Sequence, residues 1–339
     1  MAPDADRVTD APPVRGSKLS LDSATRMEER FRQECARILW VLPDQAARWV
    51  TDVLGRGSRV VWARRLRLGG WHVNHALDVV DADGRTHRLV LRRWARAGWE
   101  VDDPDYTVDR ETRVLELLRC TQVPAPAMVA ADSGGARCDV PAMLLTRLAG
   151  HPPRPADTHS DADGFCRQLA ETLAQIHDVN GTAKAQLDLY RLYYDRPRAT
   201  PARWLPATAV WRQATAAVRQ PPPPTTMTLI HRDYHPENTL WSRQRLTGVV
   251  DWTQASWGPP ALDLGHMRWN LVADHGQRVA DRFLACYRAT IGTASDDQPY
   301  WDLVSLLDLL LDGDDPGDIE PQDLQRFEDY AATVLSQQK

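Results

Sequence analysis

Lysine is nearly missing from this chain of 339 residues: of 41 basic residues only Lys18, Lys184 and Lys339 are lysine, and the rest are arginine. With 24 prolines and abundant alanine, this reads as the residue usage of a GC-rich genome. It has a chemical consequence, because between residues 19 and 183 no lysine is available to bind a phosphate. Long apolar runs are missing as well. No stretch approaches the ~18 consecutive apolar residues of a membrane span, and the opening MAPDADRVTD has acids where a signal peptide carries bases. The expectation is a soluble cytoplasmic protein without a membrane partner. Cysteine is sparse: Cys35, Cys120, Cys138, Cys166 and Cys286 are odd in number and form no CxxC pair. That argues against a disulfide framework or structural zinc and for buried, reduced thiols. A net charge of −5 gives no general reason to expect nucleic-acid binding.

What is present is an ordinary globular composition, long enough for one large or two modest domains. Residues 1–22 lack periodicity and read as a disordered arm, with a polar helix following over 24–39. Helical spacing predicts a helix over Asp44–Leu54. Strands are predicted over Arg59–Leu68, Val73–Val80 and Thr86–Arg93, the last two joined by the turn Asp81–Gly84. A helix over Asp109–Arg119 and extended segments at 123–129 and 138–148 complete a lobe over 23–148. From 149 to 339 the pattern is mainly helical, with an apolar face at Phe165, Leu169, Leu173 and Ile176. Pro221–Pro224 form a rigid spacer before the next strand. The predicted fold is α+β, a small antiparallel-sheet lobe followed by a larger, mainly helical one, with a crevice between them.

The informative block is LIHRDYHPENTLW over 229–241, followed by LTGVVDW over 246–252. It places His231, Asp233 and Asn238 in the spacing HxDxxxxN and a second acid, Asp251, 13 residues after Asn238. Phosphoryl transfer needs such a set. One carboxylate orients and deprotonates an acceptor hydroxyl, while a carboxamide and a second carboxylate hold Mg²⁺ on the nucleotide phosphates. Apolar residues just before each acid suggest rigid strand ends. His231 and His235 are four apart and, with Asp233, also suit a zinc hydrolase, although Pro236 disfavours the continuous helix such a pair uses. His177 and His266 have no partner pattern and read as core or surface histidines.

HRDYHPEN with VVDWTQASWGPPALDLGH resembles the aminoglycoside phosphotransferase family of small-molecule kinases, distant relatives of protein kinases, over about residues 59–290. The resemblance implies a bilobal protein-kinase-like fold, ATP or GTP as co-substrate, and Mg²⁺. It implies Asp233 as catalytic base and Asn238 and Asp251 as metal ligands. His231 would brace the catalytic loop, and Asp263 would hold it through backbone amides. In the small lobe it implies Arg92, in LVLR, as the contact to the α- and β-phosphates in place of the usual lysine, paired with Glu111. A surface helix glutamate is the other reading of Glu111. Gly69 and Gly70 through Asn74 would form the phosphate-covering turn, and the connector with Thr146 and Leu148 would offer backbone groups to the base. Arg93 alternates to the opposite sheet face and is expected to be solvated.

The acceptor is less determined. Residues 296–329 hold twelve acids against one arginine, Arg326, whereas residues 56–96 hold ten arginines against three aspartates. An acidic large lobe suits an aminoglycoside or other cationic antibiotic, and a solvated helical face is the other reading. Tyr190–Tyr194 and Trp204 could wall an acceptor pocket or belong to the core. Choline-like alcohols, sugars and hydroxy acids compete as acceptors, and a catalytically inactive kinase-fold binding protein is the alternative outside enzymology.

Overall fold

The computed structural model describes residues 41–66, 72–95, 98, 106–154, 161–179, 187–292, 298–311, 316 and 319–338. The arm expected over 1–22, the helix expected over 24–39, and Gly69 and Gly70 lie outside them. The chain divides into two compact units. Among the described residues, one takes those of 41–120 and Ala125–Leu148; the other takes Thr121–Pro124 and those from Ala149 onward.

The first unit is a five-stranded antiparallel sheet of β1 (Arg59–Arg65), β2 (Val73–Val80), β3 (Thr86–Arg93), β4 (Met128–Asp132) and β5 (Ala142–Thr146), in the order β1-β2-β3-β5-β4. The β2–β3 turn closes where Gly84 takes φ 80, and Asp81 accepts the N–H groups of Asp83 and Arg85 at 3.0 and 2.9 Å. Helix α1 (Asp44–Leu54) buries Ala46, Trp49 and Val50, its i, i+3, i+4 face, against Leu77, Val79, Leu89, Leu91, Ala142 and Leu144. Helix α2 (Val108–Leu118) starts at Thr107, whose side chain accepts the Arg110 N–H. The extended segments expected at 123–129 and 138–148 shrink and shift to β4 and β5. Pro124, Pro126 and Pro141 have no N–H to give a ladder.

Arg93 is not solvated. It shares the face of Leu89 and Leu91 that α1 covers, is 0% exposed, and donates Nε to Asp139 Oδ1 at 2.9 Å. Strand alternation separates Arg92 from Arg93 correctly, but both faces of β3 are covered. The thiols also divide: Cys138 and Cys166 are buried, burial pushing both up to about 12, whereas Cys120 is exposed just past the end of α2.

The second unit holds α3 (Ala162–His177), α4 (Ala209–Val218), α5 (Pro260–His275), α6 (Gln277–Ile291), α7 (Gln298–Leu310) and α8 (Pro321–Gln337). Two short ladders accompany them: β6 (Thr228–Ile230) with β9 (Ser256–Gly258), and β7 (Thr239–Ser242) with β8 (Arg245–Val249). Helix α5 lies close on α7, where a Cβ at Gly265 would meet the Trp301 carbonyl oxygen at 2.8 Å. Two acids counted toward an anionic surface are internal. Asp302 pairs with Arg268 and Asp308 with Arg232, all four buried. No helix among the described residues is long and apolar enough to cross a membrane.

Candidate active site

Two short strands deliver the motif residues. Leu229 and Ile230 are buried in β6, and the chain leaves that strand at His231; Val249 is buried at the end of β8, and Asp251 follows. Val250 ties the two exits together by donating its N–H to the Asn238 carbonyl at 2.9 Å. His231 Nε2 lies 3.1 Å from the Val250 carbonyl, and its ring packs on Trp252 at 4.5 Å. Burial holds the His231 pKa below its ordinary value, so a neutral imidazole donates this bond and braces both segments.

Asp263, in the first turn of α5, accepts the N–H of His231 at Oδ2 and of Arg232 at Oδ1, each at 2.8 Å. His177 Nε2 reaches Oδ2 at 3.1 Å. Burial pushes the Asp263 carboxyl up, but the His177 contact and these other donors hold it below the usual carboxylate range. The loop so held is strained: Arg232 adopts φ 74, a left-handed conformation uncommon outside glycine. Its side chain over-determines that conformation through the Arg191 carbonyl at 3.0 Å, the buried Asp308, and the Tyr193 ring at 5.0 Å. Asp251 is also left-handed, at φ 65.

Asp233 sits at the tip of this loop with a side chain 25% exposed. Asn238 Nδ2 donates to both its Oδ2 and its carbonyl at 2.9 Å. On the other oxygen, His266 Nε2 lies 3.1 Å and His235 Nε2 3.8 Å from Oδ1. Burial acts to raise the Asp233 pKa. The close approach of His266, with His235 and His231 also nearby, outweighs it and holds the carboxyl well below the usual range. At neutral pH it is an ionised carboxylate.

With Nδ2 turned to Asp233, the Asn238 side chain has Oδ1 left for a cation, and Asp251 contributes a carboxylate that accepts from Thr253 Oγ1 at 3.0 Å. An amide oxygen and a carboxylate are the hard donors that Mg²⁺ takes alongside phosphate and water. The residues present therefore fit the ion.

In the sheet unit, Arg92 and Glu111 are both buried, with Nε and Oε2 3.0 Å apart, and Arg92 stands 5.5 Å over the Trp94 ring. Glu111 is thus no surface glutamate. Asn74 pairs with Arg92 across β2 and β3. Thr146 pairs with Leu89, and both its N–H and its hydroxyl are engaged with Ala127 at 2.9 Å. The Arg147 N–H goes to the Arg88 carbonyl at 3.0 Å, and Leu148 is half-buried at the end of the segment.

A family model described as the phosphotransferase enzyme family matches residues 67–296. The chain belongs to that family. Among solved structures, a thermostable variant of aminoglycoside phosphotransferase APH(4)-Ia, in ternary complex with AMP-PNP and hygromycin B, is 16% identical with a TM-score of 0.58; the match covers 87% of this chain and 99% of that one. The macrolide 2'-phosphotransferase MphH from Brachybacterium faecium is 19% identical with a TM-score of 0.54, over 92% and 99% of the two chains. At these identities the likeness is one of fold, and the fold is protein-kinase-like. No curated protein sequence matches.

As a member of the phosphotransferase family, the chain is an enzyme, and its site differs from the sequence reading at two histidines. His266 lies 3.1 Å from Asp233, and His177 contacts Asp263 and the Tyr287 hydroxyl at 2.7 Å. Spacing could have found His266, because Asp263 and His266 are an i, i+3 pair on one helix face. For His177, on α3, no local signal exists. Among the described residues no group of three or more His, Cys, Asp or Glu side chains is placed to hold a metal ion; the family match, to phosphotransferases, is what sets the zinc-hydrolase reading aside.

Proposed function

We propose that this phosphotransferase moves the γ-phosphoryl group of ATP or GTP to a hydroxyl of a small molecule, with Asp233 as general base. The observation that carries the reading is the Asp233 carboxylate, held ionised and bonded at Oδ2 by Asn238, whose backbone is bonded to the residue preceding Asp251. An acceptor hydroxyl hydrogen-bonded to Asp233 gives up its proton there as its oxygen attacks, so no free alkoxide forms. Bound Mg²⁺ supplies charge neutralisation on the phosphates, and Asn238 Oδ1 and the Asp251 carboxylate would hold it. In the sheet unit Arg92, oriented by Glu111, is the proposed anchor for the α- and β-phosphates, where its planar guanidinium replaces the absent lysine.

Hydroxylated antibiotics are the first acceptors to test, since the related structures include a hygromycin B complex and macrolide phosphotransferases. A metabolic alcohol is the second reading. It is favoured by Asp302 and Asp308 being consumed in internal ion pairs and by imidazoles standing at Asp233 Oδ1. The test is a nucleotide-consumption screen with Mg²⁺ and ATP or GTP across aminoglycosides, macrolides, sugars and amino alcohols, with mass spectrometry of the acceptor. Gain of one phosphoryl group, lost in Asp233→Ala, is expected. Acceptor binding with no phosphoryl gain anywhere would mark a binding protein instead.

A further inference from the structure

The tyrosine-rich segment 190–194 reaches the site through one residue. The Tyr193 ring lies 5.0 Å from the Arg232 guanidinium, and its hydroxyl donates to Gln254 Oε1 at 2.9 Å. Arg232 immediately precedes the base, and Gln254 immediately follows Thr253, whose hydroxyl donates to Asp251 Oδ1 at 3.0 Å. Resting on the reading of Asp233 as base and Asp251 as metal ligand, we propose that Tyr193 is a positioning residue: it ties the loop that carries the base to the turn that carries the metal ligand.

Both segments need holding, because each contains a left-handed residue that is not glycine, Arg232 at φ 74 and Asp251 at φ 65. Tyr193 is itself fixed from the helical side. Its backbone N–H donates to Asp308 Oδ1 at 2.8 Å, and the same carboxylate takes the Arg232 guanidinium through Oδ2. Arg232 also donates to the Arg191 carbonyl at 3.0 Å, two residues before Tyr193. Arg232, Asp308 and the 191–193 backbone therefore lock one another, with both charged side chains buried. From that locked base the Tyr193 hydroxyl extends to the metal-bearing turn. The turn is short and braced within itself: Ala255 donates its N–H to the Trp252 carbonyl at 3.1 Å, and Ser256 Oγ donates to the Gln254 carbonyl at 2.6 Å. A shift of Gln254 is thus passed through Thr253 to the Asp251 carboxylate.

Tyr193→Phe removes the hydroxyl but keeps the ring beside Arg232 and the N–H to Asp308, whereas Gln254→Leu removes the acceptor. With full-length protein, nucleotide and an acceptor from the screen, each should raise the Mg²⁺ concentration for half-maximal activity about 3- to 10-fold, the order of one neutral hydrogen bond. The double variant should shift no further than either alone, because the two residues act as a pair. Acceptor KM should stay within about twofold. Tyr193→Leu also takes the ring from Arg232 and should lower kcat about tenfold further, as the base loses its placement. Hydrogen exchange across 251–256 in the nucleotide-free protein is a readout that needs neither turnover nor metal. Tyr193→Phe should speed it about 3- to 10-fold and leave α3 and α6 unchanged. Wild-type Mg²⁺ dependence or wild-type exchange in Tyr193→Phe would overturn the tie while the Asp233→Ala and Asp251→Asn losses stand. So would additive shifts in the double variant, or a kcat in Tyr193→Leu no lower than in Tyr193→Phe. Unchanged Mg²⁺ dependence in Asp251→Asn would instead remove the metal assignment, and this proposal with it.

Discussion

Val250 donates its N–H to the carbonyl of Asn238 at 2.9 Å, so Asp251 emerges beside the end of the loop that begins at His231. The hairpin of β7 and β8 makes this possible. Ser242 pairs with Arg245 around Arg243 and Gln244, both at positive φ (50 and 61), which is the pattern of a two-residue primed turn. The 13-residue gap between Asn238 and Asp251 is therefore the length of a hairpin that returns to its start.

The metal assignment predicts paired losses. Asp251→Asn replaces a carboxylate with a weaker ligand for a hard cation and should raise the Mg²⁺ concentration needed for half-maximal activity. Asn238→Ala should do so too, and should further lower kcat, because it also frees Asp233 Oδ2. Mg²⁺ titrations of both variants check this; unchanged metal dependence in each would remove them from the site.

Asp263 predicts a stability effect rather than a purely kinetic one. Asp263→Asn leaves one acceptor oxygen for two backbone N–H groups, each now bonded at 2.8 Å, and turns an NH₂ toward the other. Hydrogen bonds to a charged group contribute about 1.5–3 kcal/mol each. A loss of about 2 kcal/mol in denaturant unfolding, together with lower turnover, is expected. Wild-type stability would mean the His231–Arg232 segment is held by other contacts.

Arg92 and Arg93 should separate cleanly. Arg92→Ala should raise the nucleotide KM, with affinity loss visible by calorimetry in the folded fraction, and should also cost stability because it takes the guanidinium from the buried Glu111 carboxylate. Arg93→Ala removes a fully buried cation and abandons Asp139, so it should cost about 2 kcal/mol of stability with little effect on nucleotide affinity in the folded fraction. Affinity loss confined to Arg93→Ala would reverse the two assignments.

Much of this was legible in the sequence because the chemistry is local. His231, Asp233 and Asn238 lie on one loop, and alternation along Thr86–Arg93 separates Arg92 from Arg93 without a structure. Period and turn residues likewise placed α1 and the β2–β3 hairpin. Contacts between distant segments were not legible. Arg232 finds Asp308 and His177 finds Asp263 only after helices pack, and no spacing encodes which arginine will be buried. The β7–β8 turn is built on Arg243 and Gln244, not on the Asn-Gly that marks such turns, so its geometry left no trace in composition.

The last prediction concerns acid sensitivity and comes from His75 on β2. The side chain is 1% exposed, and neither ring nitrogen has a hydrogen-bond partner among the described residues. Burial first, then the charges of Arg93 and Arg65, lower its pKa from 6.5 to about 4, with Asp139 opposing. Between those values the unfolded chain binds a proton that the folded chain refuses, so folding stability must rise with pH there and fall as the solution is acidified. The loss begins as pH drops below about 6.5 and reaches about 2 kcal/mol by pH 5, with more to come by pH 4. His75→Leu removes the titrating group and strands no hydrogen-bond partner among the described residues. Urea unfolding of both proteins from pH 8 to pH 5 is the measurement. The variant should gain about 2 kcal/mol on the wild type as pH falls, whereas parallel curves would show that His75 carries the same proton in both states.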